Sequence, residues 1–118
     1  YDSASGYATA VLTKSKKVFF SGQYSSPDKR LGLHSEVNAI LGALMNKETE
    51  ITHLGLVSTK YKDSPCNMCG NCRQFLYEMS NKYNFSPRIF LFAKDNEEFI
   101  EYDINNYLPN AWTSKKWI

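Results

Sequence analysis

Two short segments constrain this 118-residue chain more than any others: His34-Ser35-Glu36, and the run Ser64-Pro65-Cys66-Asn67-Met68-Cys69-Gly70-Asn71-Cys72-Arg73-Gln74. The 3 cysteines all fall inside that run. An odd, tightly clustered set cannot form a dispersed disulfide framework, and metal binding in a reducing compartment explains it better. Any fold the chain adopts has to bring the histidine segment to the cysteine segment.

With 42% hydrophobic residues the chain can bury one core, and it is too short for two, so residues 1–118 read as a single domain. No apolar run approaches the roughly 20 residues that cross a bilayer, and no charged-then-apolar leader precedes the first strand. A soluble, cytoplasmic protein is expected. The chain opens at Tyr1 without a methionine, and an N-terminal helix upstream of it is an expectation. The formal charge of +2 hides no basic stripe, because Lys14, Lys16 and Lys17 sit on a turn-like segment. Duplex nucleic acid is therefore not an expected partner. Single-strand binding would need aromatic platforms in a positive groove; Tyr24, Tyr61 and Trp112 are candidate platforms, but no such groove accompanies them.

Ala8 to Leu12 and Val18-Phe19-Phe20 read as a hairpin across the Lys14 to Lys17 turn, and Gln23 to Leu33 reads as a loop. From His34, Val37, Ile40, Leu41, Leu44 and Met45 recur at three and four, the pattern of an amphipathic helix ending near Asn46. Leu54-Gly55-Leu56-Val57 is a buried-strand run. A second helix carries Phe75, Leu76, Met79 and Tyr83 on one face, Ile89 to Ala93 is another buried strand, and Phe99, Ile100 and Tyr102 form an edge strand. The order β-β-α-β-α-β-β implies an α/β fold with a mixed sheet and helices packed on it.

In mid-helix, His34 and Glu36 would point to nearly opposite sides, so they share a site only if it lies end-on at the helix N-terminus. Such an end offers unpaired amides and a positive dipole, which suit thiolates and developing oxyanions. Two cysteines and a histidine make the three-ligand, one-open-position zinc site of a catalyst. His53 could supply a fourth ligand, but it precedes a buried strand and has no ligand-like spacing. Metal-held water becomes a nucleophile near neutral pH, and a non-ligating glutamate, Glu36, can move its protons.

Counting does not settle which cysteines bind. Were Cys66 to Cys72 all helical, the outer pair would be about 9 Å apart along the axis, too far for one ion. Ser64-Pro65 is a cap and first-turn signature that favours Cys66 with Cys69. The phase of Phe75, Leu76 and Met79 favours Cys69 with Cys72, with Asn67 as cap. The preferred set is His34, Cys69 and Cys72, with Cys66 as the alternative ligand; a Cys66/Cys72 pair stays open if the intervening residues are not helical.

These residues resemble the zinc-dependent cytidine deaminase superfamily, whose signature is His or Cys, a small residue and Glu, followed later by Pro-Cys-x-x-Cys. Cys69-Gly70-Asn71-Cys72-Arg73-Gln74 is similar to the Cys-Gly-x-Cys-Arg-Gln of small tetrameric nucleoside deaminases and of blasticidin S deaminases. Tyr107-Leu108-Pro109-Asn110-Ala111-Trp112 is similar to their Leu-Pro-x-Ala-aromatic segment. The resemblance implies a three-layer α/β/α fold around a mixed five-stranded sheet, Zn2+ as cofactor, and a homotetramer or dimer. It implies hydrolytic deamination of cytidine, deoxycytidine or a related cytosine-bearing nucleoside, as in pyrimidine salvage. By the same resemblance the backbone of Ser35 and Cys69 orients the substrate, and Trp112 closes over a base in a neighbouring subunit.

Three departures accompany the likeness. The homotetrameric enzymes commonly have a cysteine first ligand and an arginine after the glutamate, where this chain has His34 and Val37; one imidazole and two thiolates already balance Zn2+. Their ribose-holding Asn-x-Glu is replaced by Gln23-Tyr24-Ser25-Ser26-Pro27, which makes a cytosine-containing antibiotic such as blasticidin S an alternative substrate. Their proline directly precedes the first cysteine ligand, where Cys69 is preceded by Met68. A non-catalytic, zinc-stabilised binding module is the alternative from outside the enzymes.

Overall fold

The computed structural model describes residues 6–23, 27–28, 32–95, 98–108 and 111–112. The readings made at positions 24–26, at Pro109 and Asn110, and before Gly6 lie outside the described residues. Five strands form one sheet in the order β2-β1-β3-β4-β5: β1 (Tyr7–Thr13), β2 (Val18–Gly22), β3 (Ile51–Ser58), β4 (Arg88–Phe92) and β5 (Phe99–Asp103). Helices α1 (Ser35–Met45), α2 (Gly70–Tyr83) and the short α3 (Ile104–Tyr107) complete the described elements. The expected mixed sheet, its edge strand and its two principal helices are all present.

Strand β1 runs antiparallel to both β2 and β3, so β2 and β3 are parallel to each other, and β4 is parallel to β3. Each of the two long helices therefore connects parallel strands: α1 links β2 to β3, and α2 links β3 to β4. Each begins beyond a loop that follows the carboxyl end of a parallel strand. The same sheet end receives both helix N-termini, the place where open α/β sheets bind ligands.

Alternation along the strands sends one set of side chains to the helices. Thr9 and Val11 on β1, Leu54 and Leu56 on β3, and Ile89 and Leu91 on β4 are all buried, and the five apolar ones join Ile40, Ala43 and Leu76 in one core. Ala39 and Ala43, one turn apart, let α1 lie close on the sheet. The chain leaves α1 through Lys47 at φ 63°, and leaves α2 through Asn84 at φ 56°, left-handed turns of the kind that end helices. The short α3 was not expected from the sequence. Four residues carry no periodicity, and its start is set by the Asp103 side chain accepting from the Asn106 amide.

The opposite sheet face is apolar and aromatic. Phe90, Phe92 and Phe99 cluster there with ring centroids 5.8 to 6.3 Å apart, and Phe20 across the sheet is 81% exposed. No helix among the described residues is long and apolar enough to cross a membrane.

Leu54, wholly buried between Val11 and Ile89 on neighbouring strands, carries this packing. Leu54→Ala is expected to lower the unfolding free energy by about 2–5 kcal/mol, read as a fall in the urea midpoint with an unchanged denaturant slope.

Candidate metal centre

His34 is the N-cap of α1. Its backbone is extended (φ −73°, ψ 145°), and its side chain makes no capping bond. Because it lies outside the helix, the rule that residues two apart diverge does not apply, and the imidazole is free to turn off the helix end. Glu36, in the first turn, is 4% exposed and sits where the helix dipole favours a carboxylate.

Cys69 is in turn the N-cap of α2, and its sulfur accepts a 3.4 Å bond from the Cys72 amide. The sequence offered Ser64-Pro65 or Asn67 as the cap; the structure gives that place to a cysteine acting as Ser or Asp would. Cys72, one turn further in, is buried. The loop before it is fastened from two sides. The Cys66 amide donates to the Phe92 carbonyl at 3.3 Å, and the amides of Lys94 and Asp95 donate to the carbonyls of Tyr61 and Lys62 at 3.0 and 2.9 Å.

From the other side, the Tyr107 hydroxyl accepts from the Met68 amide at 2.8 Å and donates to the Asn67 side chain. Arg73 donates from Nε to the Met68 carbonyl at 3.2 Å, and its guanidinium lies 4.3 Å from the centre of the Tyr107 ring. Nothing in the sequence pattern singled out Tyr107 or Arg73 as supports of the cysteine loop. Tyr107 meets the Met68 backbone, the Asn67 side chain and Arg73 across 34 residues or more of sequence, a separation that no local pattern encodes.

These placements bring three donor atoms together. His34 Nδ1 is 3.0 Å from Cys72 Sγ and 3.4 Å from Cys69 Sγ, and the donor atoms of His34, Cys69 and Cys72 all lie within 4.8 Å of one another. A tetrahedral zinc, with bonds of about 2.0–2.3 Å, spaces its ligands by roughly 3.5–3.8 Å, so small rotations would close the trio on one ion. Two thiolates and a neutral imidazole are a donor set that suits Zn2+, and three donors leave one position open.

Cys66 does not join them. Its buried thiol donates to the Leu56 carbonyl at 3.3 Å, and burial pushes its pKa up. His53 lies on the aromatic sheet face, stacked 5.9 Å from Phe90, with Nδ1 2.9 Å from Thr52 Oγ1.

The Cys72 thiol is held well above its usual range, first by burial, then by the Glu36 charge and by Cys69. A cation bound among these groups would offset each of those penalties. Glu36 is close enough for its charge to raise the pKa of the Cys72 thiol. Ser35 is wholly buried, and its hydroxyl donates to Glu36 Oε1 at 2.8 Å.

Beside the trio, a cleft of about 410 Å³ is lined by His34 and Cys72 together with Val37, Asn71, Gln74, Phe75 and Glu78. A larger hollow of about 700 Å³ lies on the aromatic face, lined by Ala8, Ala10, Phe20, Gly55 and Phe92 among others. No donor of the trio lines it, so chemistry rather than volume identifies the smaller cleft as the candidate site. Trp112 is 63% exposed, and its carbonyl accepts from Gln74 Nε2 at 2.8 Å, which ties the end of the described chain to the α2 wall of the cleft.

No protein-family model matches the chain, and no curated protein matches it by sequence. Solved structures do match. A cytidine deaminase from Burkholderia pseudomallei superposes with a TM-score of 0.80 at 20% identity, covering 93% of this chain and 84% of that one. A cytidine deaminase from Mycobacterium tuberculosis gives 0.72 at 19% identity, over 95% and 82%. One from Bacillus anthracis gives 0.63 at 18% identity, over 92% and 77%. The chain has the cytidine deaminase fold.

Zinc titration followed by chelator competition tests the centre directly. His34→Ala and Cys72→Ser are each expected to weaken binding by more than the roughly 10–100-fold that changes outside the ligand shell cost, while Cys66→Ala keeps wild-type affinity. Because the Cys72 thiol is pushed up without metal, uptake should release protons, and affinity should rise with pH.

Proposed function

We propose that this protein is a zinc-dependent hydrolytic deaminase that removes the exocyclic amine of a cytosine-bearing nucleoside or a related compound. The observation that supports this most is the meeting of His34, Cys69 and Cys72 at the joined N-termini of α1 and α2, with the buried Glu36 carboxylate beside Cys72, within a fold shared with cytidine deaminases.

The roles follow from placement. His34, Cys69 and Cys72 would hold the zinc, which when bound supplies an activated water and a Lewis acid. Glu36, which is not in the donor trio, would take the protons of the attacking water one at a time and hand the first to the ring nitrogen and the second to the amine that departs as ammonia. Its burial keeps bulk water from competing for those protons. The N-terminal amides of both helices favour negative charge on the attacking oxygen. A base entering the cleft would meet the Phe75 ring and the Asn71 and Gln74 amides on α2.

A purely structural zinc would be served by four protein ligands, and a buried carboxylate beside it would be a burden. That consideration favours turnover over a binding module. The cleft volume falls within the range of small-molecule sites, which supports a nucleoside-sized substrate. The exposed Trp112 would cover the cleft of a neighbouring subunit, and a homotetramer or dimer is part of this reading. The departure at Gln23 to Pro27 concerns the non-base part of the substrate, so blasticidin S stands beside cytidine and deoxycytidine as a candidate.

Mass-spectrometric detection of amine-to-carbonyl exchange tests the proposal, with zinc-loaded protein offered cytidine, deoxycytidine, cytosine, blasticidin S and a cytosine oligonucleotide. One of the small compounds should be converted. Glu36→Gln should keep its zinc and lose roughly 10²–10⁴-fold in turnover. A zinc-replete Glu36→Gln protein with near-normal activity would overturn the mechanism.

A further inference from the structure

The Glu36 carboxylate is joined to the sheet by two hydroxyls. Ser35 Oγ donates to Glu36 Oε1 at 2.8 Å, and Ser35 Oγ lies 2.8 Å from Thr9 Oγ1. All three residues are buried, at 4%, 0% and 2% exposure for Glu36, Ser35 and Thr9. A hydroxyl has one proton to give. Ser35 gives its proton to the carboxylate, so the bond between the two hydroxyls must be donated by Thr9, and the chain runs from Thr9 to Ser35 to Glu36.

Packing does not account for these hydroxyls. Thr9 shares the inward face of β1 with Val11, and valine would fill the same space without a buried polar atom. A buried hydroxyl is unfavourable unless it is bonded, and both of these are bonded in series toward one carboxylate oxygen. Thr9 also sits on an interior strand, paired with Ser21 of β2 and with Leu56 of β3, so neighbours on both sides set its position. The chain of bonds thus refers a carboxylate in the first turn of a helix to a fixed point on the sheet.

We infer that Thr9 and Ser35 are positioning residues for Glu36: they hold Oε1 as an acceptor and so fix which carboxylate oxygen, Oε2, is presented to the reacting atoms. This rests on the deaminase reading above, in which Glu36 is the proton carrier. Thr9 acts only through Ser35, and Ser35 acts only through Glu36. Serial action of this kind makes the effects of the two hydroxyls non-additive.

The test is steady-state kinetics of zinc-loaded Thr9→Val, Thr9→Ser, Ser35→Ala and the Thr9→Val/Ser35→Ala pair on whichever substrate the panel identifies, with zinc content and unfolding midpoint measured for each. Ser35→Ala should lower kcat about 10-fold, the scale of one hydrogen bond to a charged group, with KM little changed. Thr9→Val should lower kcat severalfold, Thr9→Ser should restore it, and the pair should be no worse than Ser35→Ala alone. Wild-type kcat in Thr9→Val, failure of Thr9→Ser to restore it, or losses that multiply in the pair would overturn the inference.

A second measurement separates this from failure of the deaminase reading, since it needs no turnover. The carboxyl carbon resonance of Glu36, assigned by its loss in Glu36→Gln, should move in Thr9→Val and return in Thr9→Ser. An unmoved resonance in Thr9→Val would overturn the inference even in a protein that deaminates nothing offered.

Discussion

The parallel relation of β2 to β3, enforced by β1 pairing antiparallel with both, is the constraint from which the site follows. The two loops that leave the carboxyl ends of these strands lead into helices that start at one end of the sheet. His34 and Cys69 are the N-caps of those helices, and Cys72 is one turn inside the second. The meeting of three donor atoms is thus a property of strand direction before it is a property of side chains. The two helix dipoles add to it, directing their positive ends at the cysteine sulfurs and at the Glu36 carboxylate.

Strand direction places the helix starts only coarsely, and finer adjustment comes from two kinds of support. The core clasps α1 and α2 to the sheet through Ile40, Ala43 and Leu76 against Leu54, Leu56 and Ile89. The cysteine loop is then fastened by polar contacts, to the chain after β4 on one side and to Tyr107 and Arg73 on the other. Burial of Tyr107 raises its pKa, partly opposed by Arg73, and so favours the neutral hydroxyl that can both accept from Met68 and donate to Asn67. A metal centre drawn from two distant segments needs both kinds of support, because either segment alone would tolerate displacements larger than a metal–ligand bond allows.

Burial does different work on the two faces of the sheet. Toward the helices it includes polar groups only where they are bonded, as Thr9, Ser35 and Glu36 are. Toward the other face it leaves Phe20 and Phe92 open around a hollow lined by alanine and glycine. The chemistry of the chain lies on the first face and at its end, where buried charge and the thiols of Cys69 and Cys72 are concentrated.

Much of this was legible in the linear chain. Apolar residues at three and four from Val37, and again from Phe75, marked both helices, and the runs at Leu54 and Ile89 marked the buried strands, because those periods are dictated by backbone geometry. The pattern from Phe75 also favoured Cys69 with Cys72, since helical phase is continuous along a single element. Other features depend on contacts between residues far apart in sequence. That Cys69 rather than Ser64 or Asn67 caps α2, that the Cys66 thiol turns to the Leu56 carbonyl, and that His53 stacks on Phe90 are all decided by what the folded chain places opposite each group. The bond from Thr9 to Ser35 is the clearest case. A threonine at an inward strand position looks like any β-branched core residue until the sheet and α1 bring it within 2.8 Å of the serine beside Glu36. Local periodicity and residue chemistry determined the elements and the inventory of reactive groups; the tertiary structure alone decided which of those groups meet, because hydrogen bonds and metal coordination require separations of a few ångströms that sequence distance does not encode.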